Sequence, residues 1–152
     1  MKILITILTL ILIPKECNNM TSNFSDLQKR QDTITITYEA VSRGFFEEIS
    51  ITHNSLKICN DINRKEYKTY DFPKEDWNIC LELLSKIDLD NLSELKAPTS
   101  YRHVDGAAHA TLIINDGEKK IRSSEFDHGH PPKEIKELVE KLQTFKKIST
   151  KQ

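Results

Sequence analysis

Four of the chain's five histidines fall between His103 and His130, with Asp105 and Asp127 beside them. Neutral imidazoles and carboxylates are the side chains that hold divalent transition metals. His103, Asp105, His109, Asp127, His128 and His130 therefore form a candidate ligand set for zinc or a similar ion. The spacing is not one of the strong zinc patterns, since neither HExxH nor paired CxxC occurs. In His128-Gly129-His130 the glycine lets both rings turn the same way. The same residues also have a purely structural use. Asp127 precedes a proline-led helix and is placed to accept its first-turn N–H groups, and Asp105-Gly106 is a turn former. Asp105 or Asp127 holding Arg102 would pin two loops together. A hydrolase would need a nucleophile. Ser100, Ser123 and Ser124 lie near the cluster, but no Gly-x-Ser-x-Gly elbow surrounds them. Cys59 and Cys80 carry no local activation signature. The reading that follows is non-enzymatic.

A second stretch, Ser42-Arg43-Gly44-Phe45-Phe46, combines a turn, a cation and two aromatics. Arg43, Phe45 and Phe46 are the candidate partner-binding residues, because aromatics and arginine dominate protein–protein contacts. Adjacent strand residues point to opposite faces. One of the two rings therefore belongs to the surface or under a helix.

The histidines need a scaffold, and a hairpin supplies it. Ala107 to Asn115 reads as a strand, Asp116-Gly117 as a turn that tolerates positive φ, and Lys119 to Ser124 as the returning strand. Period 2 places Ala108, Ala110, Leu112 and Ile114 on the core face and His109 on the wetter one. In an antiparallel pair the entry of one strand lies beside the exit of the other. The loop with His103 and Asp105 is thus expected beside the loop with Asp127, His128 and His130.

Upstream, Thr33 to Val41 alternates cleanly, and Phe45 to His53 follows with Ile49 and Ile51 inward. Leu56 to Cys59 and a charged edge strand, Glu66 to Phe72, complete four strands. Pro73 opens a helix with the stripe Trp77, Cys80, Leu81, Leu84 and Ile87. Asp88 to Leu95 reads as a short helical or 3-10 piece. Pro131-Pro132 starts a last helix to about Lys146 with Ile135, Leu138, Val139, Leu142 and Phe145 inward. The order β-β-β-β-α-β-β-α predicts an α+β domain: an antiparallel sheet of five to six strands with two main helices on one face.

At 152 residues the chain suits one core. A net charge of −1 gives no electrostatic argument for nucleic acid. Met1-Lys2 followed by the apolar run Ile3 to Ile13 matches a signal-peptide core and is shorter than the ~20 residues a spanning helix needs. Residues 1–17 are read as a signal peptide or membrane-anchoring segment, with Cys17 a candidate lipidation site. Residues 18–32 are read as a polar linker carrying at most one helical turn, 33–147 as the domain and 148–152 as a polar tail. Cys59 and Cys80 would be free to pair in an oxidising compartment or to stay buried as thiols.

The runs SRGFF, LLSKIDLDNL, DGAAHATLII and FDHGHPP resemble a family of small, functionally uncharacterised bacterial envelope proteins, over roughly Thr33 to Phe145. In layout the chain is also similar to emfourin-like inhibitors of thermolysin-type metalloproteases. Those have a Ser-Gly-Gly-Phe turn where this chain has Ser42-Arg43-Gly44-Phe45. The resemblance implies a cell-envelope location, periplasmic or secreted, and carries no residue roles. The resulting expectation is an exported, non-enzymatic protein-binding module without a cofactor, with a protease among its candidate partners. The alternative is a metal-binding protein using the His/Asp cluster at the ends of the 107–124 hairpin.

Overall fold

The computed structural model describes residues 18–147, with backbone alone for 18–23. The expected export segment, Cys17 and the 148–152 tail lie outside the described residues. Among the described residues no helix is long and apolar enough to cross a membrane.

The alternation of β-branched residues with threonines makes β1 (Thr35–Ser42) the centre of the sheet. It pairs on one side with β2 (Phe45–Ile51) and on the other with β5 (His109–Asn115). From β2 the sheet continues through β3 (Ser55–Cys59) to the edge strand β4 (Tyr67–Asp71). Beyond β5 the returning chain pairs twice, as β6 (Lys120–Arg122) and β7 (Phe126–Asp127). All pairings are antiparallel, giving the order β4-β3-β2-β1-β5-β6 with β7 also on β5. The predicted α+β architecture holds, with seven strands and a third helix among the described residues. The returning strand splits because Ser123 turns aside: its Oγ accepts the Leu112 N–H at 3.0 Å where a backbone carbonyl would.

Register explains the two faces. Ile36, Tyr38 and Ala40 lie opposite Ile51, Ile49 and Glu47 on one side and Ile114, Leu112 and Ala110 on the other. This face is buried under three helices: α1 (Asn18–Lys29), α2 (Lys74–Ser85) and α3 (Lys136–Lys146). α2 contributes Trp77, Cys80, Leu81 and Leu84, and α3 contributes Leu138, Val139, Leu142 and Phe145. Phe72 meets Phe145 edge-on at 4.9 Å, and the Trp77 indole N–H donates to Gln31 at 3.1 Å.

Two sequence expectations are corrected. Most of the 18–32 stretch, Asn18–Lys29, is a three-turn helix rather than a linker, because Leu27 is buried in the core and Phe24 packs on it. Two apolar residues one helical turn apart suffice once α2 offers a surface. The last helix begins at Lys136, after a turn at 133–135, not at the prolines. Of the two readings of Cys59 and Cys80, buried free thiols are found, one on β3 and the other in the helical layer.

Candidate functional site

The corner where the two histidine-bearing loops meet is built on one carboxylate. Gly129, at φ +85°, closes a tight turn in which the His130 N–H donates to the Asp127 carbonyl at 2.8 Å. β7 pairing places Asp127 opposite His109, and its side chain is fully buried. Asp127 Oδ2 accepts the Tyr101 N–H at 2.7 Å, and Oδ1 accepts the Arg102 N–H and guanidinium, both at 3.0 Å. The same guanidinium also donates to the Thr99 carbonyl at 2.8 Å and is 12% exposed. Burial alone would raise the Asp127 carboxyl. The Thr99 hydroxyl beside it, Arg102 and the two N–H groups outweigh burial and hold it well below the ordinary carboxylate range.

The captured segment is the 3-10 turn Tyr101–Val104. Its far end closes at Asp105, in the left-handed region at φ +54°, and the Gly106 N–H donates back to the Tyr101 carbonyl at 2.9 Å. A Cβ on Gly106 would sit 3.2 Å from that carbonyl oxygen, so the close return favours glycine. The turn is therefore fixed at both ends. From it Tyr101 and Val104 project into solvent, 56% and 77% exposed, with His103 and Asp105 also exposed. The Tyr101 ring meets the His130 ring edge-on at 6.3 Å.

A second polar group lies behind the corner, on the core face. His128 Nδ1 is 2.7 Å from the buried Tyr38 hydroxyl, and the His128 N–H donates to the Ala108 carbonyl at 2.9 Å. The Phe45 ring packs 5.5 Å from the imidazole. Glu47, only 1% exposed, pairs with Lys146 of α3. Burial, and then the nearby Glu47, push the Tyr38 phenol above its ordinary range, while hydrogen bonds with the Gln143 side chain and the Gly129 backbone oppose that shift. Burial lowers the His128 pKa. Glu47 opposes that shift, while Lys146 and His130 add to it.

The six proposed metal ligands converge only in part, and they form no metal centre. Among the described residues no three His, Cys, Asp or Glu side chains are arranged to hold an ion. The physical reason is prior commitment. Asp127 is surrounded by N–H donors, His128 turns inward to Tyr38, and His109 Nδ1 pairs with Glu125 at 2.9 Å. His103 and Asp105 face solvent on the turn, and His130 lies against Tyr101. Of the structural alternatives, Asp127 holding Arg102 is found. Its carboxylate caps the 101–104 turn rather than the final helix.

The Arg43-Phe45-Phe46 group is also redistributed. Ser42 pairs with Phe45, making Arg43-Gly44 a two-residue turn, with Gly44 at φ +79°. Arg43 is exposed, Phe45 is half-buried against the core and His128, and Phe46 is 2% exposed. Phe46 lies on the other face, under the Arg64 guanidinium at 4.4 Å. Of the two rings, Phe46 is covered and Phe45 keeps part of its surface.

Sequence reasoning missed Tyr38, Glu47 and Lys146. The signal for Glu47 was available: it shares strand parity with Ile49 and Ile51, so a charge had to enter the core. Elsewhere, a cleft of about 800 Å³ lies between α1, the end of α2 and the 116–119 loop. Across it Arg30 pairs with Asp116 and Lys119 with Asp90, both at 3.7 Å. Comparison with protein-family models, curated proteins and solved structures finds no match.

Proposed function

We propose that this domain is a non-enzymatic protein-binding module of the bacterial cell envelope, and that Tyr101 and Val104 are its principal contact residues. The envelope part of the reading rests on the apolar run Ile3 to Ile13. The binding part rests on the buried Asp127 carboxylate, which captures two consecutive backbone N–H groups beneath two exposed apolar side chains. A backbone ordered in advance removes part of the entropy cost of association. A tyrosine beside an aliphatic residue is a common composition for an interface centre. A protease is one candidate partner, from the layout similarity to emfourin-like inhibitors.

A photo-crosslinking amino acid at position 104, compared with one at Glu82 on the exposed side of α2, tests the reading in cells of the native host. The expected outcome is a discrete adduct from 104 that is absent from 82 and lost in a Tyr101→Ala background. Equal adducts from both positions, or none from 104, would overturn it.

A further inference from the structure

We propose that β4 is a self-association edge: two copies of this chain pair β4 against β4, antiparallel about a twofold axis at Thr69, and form one continuous sheet. β4 lies on the opposite side of the sheet from β5, β6 and β7. Pairing there leaves the Tyr101–Val104 turn uncovered, so this inference is independent of the contact surface proposed above.

β4 ends the strand order among the described residues. Hydrogen-bond parity shows which of its backbone groups are open. The Thr52 N–H donates to the Ser55 carbonyl at 2.9 Å, and the Phe72 N–H to the Asn54 carbonyl at 3.1 Å. Ser55, Lys57 and Cys59 therefore bond to β2, while Leu56 and Ile58 bond to Tyr70 and Lys68 of β4. The N–H and C=O groups of Tyr67, Thr69 and Asp71 point outward along the edge. The helical layer stops short of this edge: Lys68 lies on the core face, opposite Ile58, yet is exposed. On the other face Tyr67 is 44% exposed, and Ile62, in the loop entering β4, is 52% exposed.

The side chains of β4 select a second copy in one register. A twofold pair centred on Thr69 sets Thr69 against Thr69 and Tyr67 against Asp71. All the outward N–H and C=O groups of Tyr67, Thr69 and Asp71 then find partners. Lys68 faces the Tyr70 ring of the other copy, a cation beside an aromatic. Each neighbouring register fails on a named residue. Centring on Lys68 opposes two ammonium groups, and centring on Asp71 opposes two carboxylates. Centring on Tyr70 sets Tyr67 against Pro73, which has no N–H. Centring on Tyr67 needs the Lys65 N–H, which already donates to Asp61 at 2.9 Å. An edge lysine blocks pairing with an arbitrary strand. Here it restricts pairing to the register that gives it an aromatic neighbour. The contact is one short strand pair, at the low end of specific interfaces, so the dimer is expected to dissociate on dilution.

Disulfide trapping of the full chain in cells of the native host, with an added oxidant and Cys17→Ser throughout, tests this. Thr69→Cys places two thiols on the axis, about 5.5 Å apart from Cα to Cα and within disulfide reach. Asp71→Cys places its pair about 14 Å apart, on the same face and equally open. A disulfide-linked homodimer is expected from Thr69→Cys and not from Asp71→Cys. Sedimentation of the full chain gives a second readout, with a mass that rises toward that of a dimer as concentration increases. Thr69→Pro removes an outward N–H and leaves the β3–β4 ladder intact. It should raise the dimer dissociation constant about tenfold or more. A wild-type chain that is monomeric at every concentration, or a dimer unaffected by Thr69→Pro, would overturn the proposal. So would equal trapping at positions 69 and 71, or a Thr69→Cys adduct with a different protein. None of these results bears on crosslinking from position 104, so the two readings fail separately.

Discussion

Asp127→Asn is the sharpest probe of how the corner is held. The carboxylate accepts three hydrogen bonds, two from backbone N–H groups and one from a guanidinium that is 12% exposed. An asparagine in either orientation points an NH₂ group at one of these donors and leaves Arg102 a largely buried cation without its counter-charge. Removing one partner of a buried ion pair costs about 3–5 kcal/mol, a large part of a total stability of about 5–15 kcal/mol. For a domain of this size that corresponds to a fall in Tm of about 10 °C or more. Urea unfolding of both proteins across pH provides the measurement. The wild-type Asp127 pKa lies below its unfolded value, so its contribution is complete above the ordinary aspartate pKa of about 4. It is lost as pH falls further. The gap between wild type and Asp127→Asn should therefore be constant from pH 8 to 5 and shrink below pH ~4. A gap under about 0.5 kcal/mol at pH 7, within the range of ordinary surface changes, would refute the clamp.

Four further outcomes are expected. Phe46→Ala should destabilise by about 3–5 kcal/mol in a denaturant titration, because the ring is buried under Arg64 rather than offered to a partner. Tyr101→Ala and Val104→Ala should each change stability by less than about 0.5 kcal/mol, since both side chains are exposed. Gly117→Ala should cost about 1–3 kcal/mol by thermal unfolding, because Gly117 has φ +91° and an added Cβ would lie 2.7 Å from the Thr33 Cβ. Cys80 should resist alkylation in the native protein, read by peptide mass spectrometry, as burial pushes its thiol up to about 12.

Much of the fold was legible in the sequence because the signals are short-range. Alternation over Thr33 to Val41 and the stripes from Trp77 and from Ile135 each specify a face without knowledge of the partner. Their faces agree with the buried sets found in β1, α2 and α3. Leu27 shows the limit. Two apolar residues in a polar stretch predict nothing alone, and only the groove beside α2 makes a helix of them. Phe45 and Phe46 show it again. Period 2 separates their faces, but the cover over Phe46 comes from Arg64, far along the chain.

By itself the sequence determined that an antiparallel ribbon would bring the His103 loop beside the His128 loop, because antiparallel pairing joins those ends whatever surrounds them. Only the tertiary structure decided what the meeting is for. A carboxylate or imidazole takes the partner that burial leaves it, and those partners come from other elements. Asp127 found two N–H groups and a guanidinium, and His128 found a phenol on β1. Residues that could have shared a metal were instead separated into a clamp facing one way and a buried hydrogen bond facing the other.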